Sequence, residues 1–161
     1  MSLKLYFLRH GQAGSRHEWN GDDSLRPLTV EGKKRMRREA TAIWRLEPSL
    51  DVIISSPLVR ALQTAEIVAK AQASTARLIT DDRLAPGLGP KDLAALVAEH
   101  RTAKGLMLVG HEPDFSETVG QLTGGGQIAV KKGALACIEV EDPVSLTGTL
   151  VWLIPPRALE L

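Results

Sequence analysis

Near its start the chain reads Leu3-Lys4-Leu5-Tyr6-Phe7-Leu8-Arg9-His10-Gly11. Six residues, apolar apart from Lys4, run straight into an Arg-His-Gly triplet. So short and apolar a run predicts a mostly buried strand over 3–8. The polar stretch 12–28 follows, with Gly14, Gly21, Asp22, Asp23 and Pro27. It reads as a loop. Thr29 is a good N-cap for a helix over 30–46. Met36, Ala40, Ile43 and Trp44 recur on one face of that helix, and Pro48 stops it.

The same alternation continues. Residues 51–55 (Asp-Val-Ile-Ile-Ser) predict a second buried strand. Pro57 suits the first turn of a helix running to about residue 71, with Leu58, Leu62, Ala65 and Val68 or Ala69 inward. A third strand is expected over 76–80, an irregular loop at Pro86, Gly87, Gly89 and Pro90, and a helix over 92–100. Residues 106–109 make a fourth strand. A helix over 115–122 ends at Gly124-Gly125-Gly126. Two closing strands are expected over 133–140 and 149–154, the second ended by Pro155 and Pro156. The order β-α-β-α-β-α-β-α-β-β predicts an α/β fold, a three-layer α/β/α sandwich around a mostly parallel central sheet. The last two strands are too closely connected for a parallel crossover, so at least one strand should run antiparallel.

Composition bounds the function. The chain has 161 residues, which fits a single domain spanning 1–161. Hydrophobic residues make up 43% and charged residues 24%, in the ordinary globular range, which argues against disorder. A net charge of +1 offers no general attraction for nucleic acid or an acidic membrane surface. Aromatic residues are only 4%, too few to stack single-stranded bases. The lone cysteine, Cys137, forms no internal disulfide, as suits a reducing compartment. No apolar stretch has the length of a signal peptide core or a membrane span. A soluble, cytoplasmic protein is expected. Lys33, Lys34, Arg35, Arg37 and Arg38 crowd the first helix, either as a solvated face or as a docking surface for an acidic partner.

In doubly wound sheets ligands bind beyond the carboxyl ends of the strands. Three strand ends here carry chemistry. The first delivers Arg9-His10-Gly11. The second delivers Ser55-Ser56-Pro57-Leu58-Val59-Arg60-Ala61-Leu62-Gln63-Thr64-Ala65. The fourth delivers Val109-Gly110-His111-Glu112-Pro113. Two guanidinium forks suit the oxygens of a phosphoryl group. A histidine beside them serves as a nucleophile or a further donor. Helix starts after Pro57 and Pro113 would add anion-friendly N–H groups. A metal site is the competing reading of paired histidines. Arg9 beside His10 disfavours a divalent ion, and no HExxH motif or cysteine cluster is present. His17 and His100 have no motif context.

Leu-Arg-His-Gly, Ser-Ser-Pro-x-x-Arg-Ala-x-Gln-Thr-Ala and Val-Gly-His-Glu-Pro together resemble the histidine phosphatase superfamily, also called phosphoglycerate mutase-like. The short length, Arg26-Pro27-Leu28-Thr29 and the Gly-rich segment near the end resemble its small phosphohistidine phosphatase branch (SixA-like). The resemblance spans residues 3 to about 154. It implies a phosphoglycerate mutase-like fold. It implies that His10 is the nucleophile that becomes phosphorylated, and that Arg9, Arg60 and His111 hold the phosphoryl oxygens. It implies no cofactor and no metal.

The proton donor departs from the family pattern. Mutase-type members carry an acid after the third strand; here Asp82-Arg83-Leu84-Ala85-Pro86 puts Ala85 in that place. Glu112 is a candidate general acid, or else caps the following helix. Asp81 and Asp82 are weaker candidates. A missing acid matters less for phosphohistidine, because imidazole leaves with a conjugate acid of pKa about 6.5. The expected substrate is therefore phosphohistidine on a partner protein, with hydrolysis through a phosphohistidine intermediate. The alternatives are a small-molecule phosphomonoester phosphatase of the same fold, and a non-catalytic phosphoprotein-binding module.

Overall fold

The computed structural model describes residues 2–71 and 75–160. Its strands are β1 (Leu3–Arg9), β2 (Val52–Ser55), β3 (Arg77–Thr80), β4 (Gly105–Gly110), β5 (Leu135–Asp142) and β6 (Thr147–Ile154). Its α-helices are α1 (Val30–Arg45), α2 (Val59–Ala71), α3 (Pro90–Glu99), α4 (Asp114–Leu122) and α5 (Pro156–Leu159). The six strands form one sheet in the order β3-β2-β4-β1-β5-β6. The first four strands pair in parallel; β5 is antiparallel to β1, and β6 to β5. The expected antiparallel strand is thus β5, joined to β6 by a short turn.

The near-continuous apolar strands are explained by cores on both faces. Leu5, Phe7, Ile54, Leu106 and Leu108 pack with Leu93, Leu96 and Val97 of α3 and Phe115 and Val119 of α4. Tyr6, Leu8, Ile53, Met107 and Val109 face the other way, onto Met36, Ala40 and Ile43 of α1 and Ala61, Ala65 and Val68 of α2. Alternate residues of β1 therefore serve opposite cores, as the two-residue strand period requires. Phe7 meets Phe115 edge-on at 5.3 Å, a favoured aromatic geometry.

Local differences from the expected elements have local causes. Thr29 caps α1 as expected, accepting from the Gly32 N–H at 2.8 Å. Pro57 is not in the first turn of α2, which starts at Val59. The Ser56 hydroxyl instead accepts from the Leu58 N–H, turning the chain before the helix begins. Helix α3 starts two residues early, because Gly89 and Pro90 serve as N-cap and first residue while Asp92 binds back to the Gly89 N–H. Strand β5 starts two residues late. The N–H of Gly133 is spent on the Arg9 and His10 carbonyls, and a φ of +82° there favours glycine. Pro156 ends β6 but also opens α5, too short to leave a periodic signal. On α1, Lys34, Arg35, Arg37 and Arg38 are exposed. Among the described residues, no helix is long and apolar enough to cross a membrane.

Candidate active site

The sheet register brings the three strand ends together. Arg9 pairs with Gly110, and Ser55 with Val109, so β1, β4 and β2 finish side by side. Beyond them lies a cavity of about 330 Å³. Arg9, His10, Arg60, His111 and Glu112 all line it, together with Arg16, Arg26 and Lys132. All five residues expected from the sequence are thus brought to one place. Their surroundings are strongly cationic.

His10 is buried, and its Nδ1 lies 2.7 Å from the Gly11 carbonyl oxygen. A carbonyl only accepts, so Nδ1 carries the hydrogen. In the neutral ring, Nε2 keeps its lone pair. Burial pushes the His10 pKa down to about 3, with the charges of His111, Arg60 and Arg9 adding to the effect and the bond to Gly11 opposing it. The imidazole is therefore neutral at pH 7, as an attacking nitrogen must be. Gly11 is fixed in turn. Its N–H donates to Thr64 Oγ1 at 3.1 Å, and that hydroxyl donates to the Arg60 carbonyl at 2.8 Å. A Cβ on Gly11 would lie 2.6 Å from Met36 Cγ. Gln63 completes the motif by accepting from the Leu28 N–H at 2.9 Å, which pins the end of the 12–28 loop.

Arg9 donates to the Val130 carbonyl at 2.9 Å. Arg60, only 2% exposed, donates to the Asp23 carbonyl at 2.9 Å and to its carboxylate at 3.1 Å. The Nε–H groups of both arginines are buried with no hydrogen-bond partner among the described residues. A buried donor left unpaired costs about 1–3 kcal/mol. Both arginines line one cationic cavity, and that fits a tetrahedral oxyanion. Asp23 also pairs with Arg26 at 2.9 Å and Arg16 at 3.7 Å. Those cations hold its carboxyl below the usual range, the Arg26 hydrogen bond most of all. One carboxylate thus holds Arg60 and Arg26 at the cavity wall, with Arg16 at its exposed edge.

Sequence reasoning missed Asp23, Arg16 and Lys132. Arg26 entered it only as part of a resemblance. Three of these four lie in the polar loop, where composition marks a loop but not which residues fold inward. Arg26 is 6% exposed, held by Asp23 and by the Gly14 carbonyl. The helix-terminus expectation is corrected. Pro57 does not line the cavity, and at the start of α4 the Phe115 N–H is spent on the His111 carbonyl and the Ser116 N–H on Glu112. Glu112 accepts from the Ser116 N–H at 2.8 Å, and Asp114 accepts from the Gly87 and Leu88 N–H groups. Glu112 therefore both lines the cavity and caps α4. Asp81 lies outside the cavity and binds Arg83 through both carboxylate oxygens, at 2.9 and 2.7 Å. Asp82 is exposed. Among the described residues, no three His, Cys, Asp or Glu side chains converge as metal ligands.

The buried neutral histidines have a consequence for stability. Burial also lowers the pKa of His111 to about 4. In the unfolded chain both rings take a proton near pH 6.5. Between that value and the folded pKa values the unfolded chain binds more protons, so stability falls as the pH drops below about 6.5. Glu39, raised to about 8 by burial, works in the opposite direction. The difference between variants isolates the histidine contribution. The fall in Tm between pH 7 and pH 5 should be smaller in His10→Asn than in the wild type. An equal fall in both would show that His10 protonates as readily folded as unfolded.

Comparison with known proteins places the chain. The sequence model of the histidine phosphatase superfamily (branch 1) matches residues 5–86. An uncharacterised protein from Picosynechococcus is 32% identical over 95% of this chain and its own full length. The solved structure of the protein histidine phosphatase SixA complexed with tungstate superimposes with a TM-score of 0.86, at 23% identity, covering 98% of this chain and 99% of that one. The α-ribazole phosphatase of Shigella flexneri gives a TM-score of 0.75 at 16% identity, covering 96% and 97%. The fold is the α/β fold that these phosphatases share. The chain belongs to the histidine phosphatase superfamily.

Proposed function

We propose that the chain acts as one histidine phosphatase domain that removes the phosphoryl group from phosphohistidine on a partner protein, without a metal. The observation that carries this reading is the meeting, on one cavity, of a neutral His10 with a free Nε2 lone pair and the two arginines Arg9 and Arg60. Nε2 attacks phosphorus in line while the bond to the leaving nitrogen breaks, and the substrate ring, protonated on its other nitrogen, departs as neutral imidazole. Arg9, Arg60 and His111 hold the three equatorial oxygens as charge spreads over them. Water then attacks the phosphohistidine, phosphate departs, and Nε2 recovers its lone pair. A tetrahedral oxyanion, tungstate, accompanies SixA, the fold neighbour described above. That supports an oxyanion site here.

Leaving-group chemistry supports phosphohistidine. An alkoxide needs a well-placed acid, whereas imidazole leaves readily. Among the described residues the only acid lining the cavity is Glu112, and one of its oxygens already caps α4. The likeness to an α-ribazole phosphatase favours a second reading, a small phosphomonoester as substrate. A turnover assay on phosphohistidine proteins, an aryl phosphate and sugar phosphates decides between them. Faster turnover of free metabolites would overturn the protein-substrate reading. Phosphate binding without turnover would leave a non-catalytic binding module.

Glu112→Gln gives a sharper test of the same point. The glutamine carbonyl still accepts from Ser116, so the cap survives, but the transferable proton is lost. On an alkyl phosphate the rate should fall on the order of a hundredfold. On phosphohistidine or an aryl phosphate the loss should be several-fold or less. Equal losses on all three would mean that Glu112 shapes the pocket rather than delivering a proton.

A further inference from the structure

Ser56 belongs to the motif that follows the second strand. It is wholly buried at the end of β2, and its Oγ lies 2.7 Å from His111 Nε2. That hydroxyl already accepts from the Leu58 N–H at 3.2 Å. A hydroxyl has one hydrogen to give, and a backbone N–H takes none. The acceptor within reach is the Nε2 lone pair of His111. We propose that Ser56 donates to Nε2 and so fixes His111 as the Nδ1–H tautomer, making it a neutral hydrogen-bond donor in the cavity.

The opposite assignment satisfies fewer groups. With the hydrogen on Nε2, the Ser56 hydroxyl would accept two N–H groups while its own hydrogen stayed buried without an acceptor. His111 Nδ1 would then offer a lone pair where phosphoryl oxygens are to bind, and two lone pairs repel. Nδ1 has no partner among the described residues, which leaves its hydrogen free for such an oxygen.

The cavity then holds two imidazoles with centroids 5.3 Å apart and opposite assignments. The Gly11 carbonyl takes the Nδ1 hydrogen of His10 and leaves a lone pair on Nε2. The Ser56 hydroxyl fills the Nε2 lone pair of His111 and leaves a hydrogen on Nδ1. One ring attacks and the other donates, and each is set by a single fixed partner. Burial keeps both neutral, so the division of labour does not rely on charge. Ser56 acts through His111 and is a positioning residue. The mechanistic part of this inference rests on the phosphatase reading; the tautomer itself does not.

The test is long-range ¹H–¹⁵N NMR of histidine-labelled protein without substrate, with the His111 ring assigned by loss of its signals in His111→Asn. The wild type should show a protonated Nδ1 and an unprotonated Nε2 at His111. Ser56→Ala should mix or reverse that pattern, while kcat/KM falls about tenfold and vanadate inhibition weakens by a similar factor. Ser56→Thr, which keeps the hydroxyl, should retain the wild-type pattern and recover most of the rate. A protonated Nε2 at His111 in the wild type overturns the proposal, whether or not any variant folds. So does a Ser56→Ala protein whose His111 pattern is unchanged. The expected tautomer together with no turnover on any substrate would support the role of Ser56 and remove the phosphatase reading alone.

Discussion

Replacing His10 with alanine should abolish turnover, by about ten-thousandfold or more, because the other imidazole on the cavity, His111, has its Nε2 engaged by Ser56 and cannot take over the attack. Other features of the site survive the change. The backbone N–H of residue 10 still donates to the Gly110 carbonyl, at 3.0 Å in the wild type. The arginines keep their bonds to Val130 and Asp23. The variant should therefore fold and still bind vanadate, though more weakly. The wild type, quenched during turnover, should carry a phosphoryl group on His10 that is lost in acid, as a phosphorus–nitrogen bond requires. Both halves are needed. A variant that kept more than trace activity would rule out the covalent route, and water activated directly in the cavity would replace it.

Much of the fold was legible because strand and helix periods differ and both faces of the sheet are buried. The runs at 3–8 and 106–109 are apolar at nearly every position, since Leu5 and Phe7 feed one core while Tyr6 and Leu8 feed the other. That pattern fixes a parallel sheet, and a parallel sheet fixes where its ligand binds. The positions of Arg9, His10 and His111 at the cavity follow from their being the last residue of a strand or the one just past it. Arg60 is different. Its place depends on α2 starting at Val59 and on a bond to Asp23, thirty-seven residues away. Periodicity carries no such information, and only the motif pointed to it.

The polar loop shows the limit most clearly. Arg26 and Asp23 look like solvated loop residues in composition. Arg26 is held in its buried position by the half-exposed Asp23 and by the Gly14 carbonyl, contacts that exist only once the loop has closed. Glycine positions were legible in kind but not in cause. Gly32 is needed because a Cβ there would lie 2.1 Å from the Gln12 carbonyl oxygen, so the start of α1 packs directly on the chain leaving His10. No spacing rule predicts that contact.

Arg60→Ala should cost about 3 kcal/mol or more of transition-state stabilisation, a rate loss above a hundredfold, as expected when a preorganised charge stabiliser is removed. The guanidinium sits at 2% exposure with two nitrogens held by Asp23, so it is fixed before any substrate arrives. Asp23 takes two of the guanidinium's five N–H groups, which leaves others on the terminal nitrogens for an oxygen that gains charge. Arg60→Lys should recover little, because an ammonium cannot hold Asp23 and present a second, fixed donor at once. Vanadate affinity should fall in parallel with kcat/KM if the lost interaction belongs to the transition state. A loss of affinity for inorganic phosphate equal to the loss for vanadate would instead mark Arg60 as a ground-state anchor. The same preparations test metal independence. With Arg9, Arg60 and His111 supplying the charge stabilisation, EDTA should leave the wild-type rate unchanged. Added magnesium should not rescue Arg60→Ala. Rescue by the ion would show that a metal can stand where the guanidinium stood, and the cationic cavity would then need a different explanation.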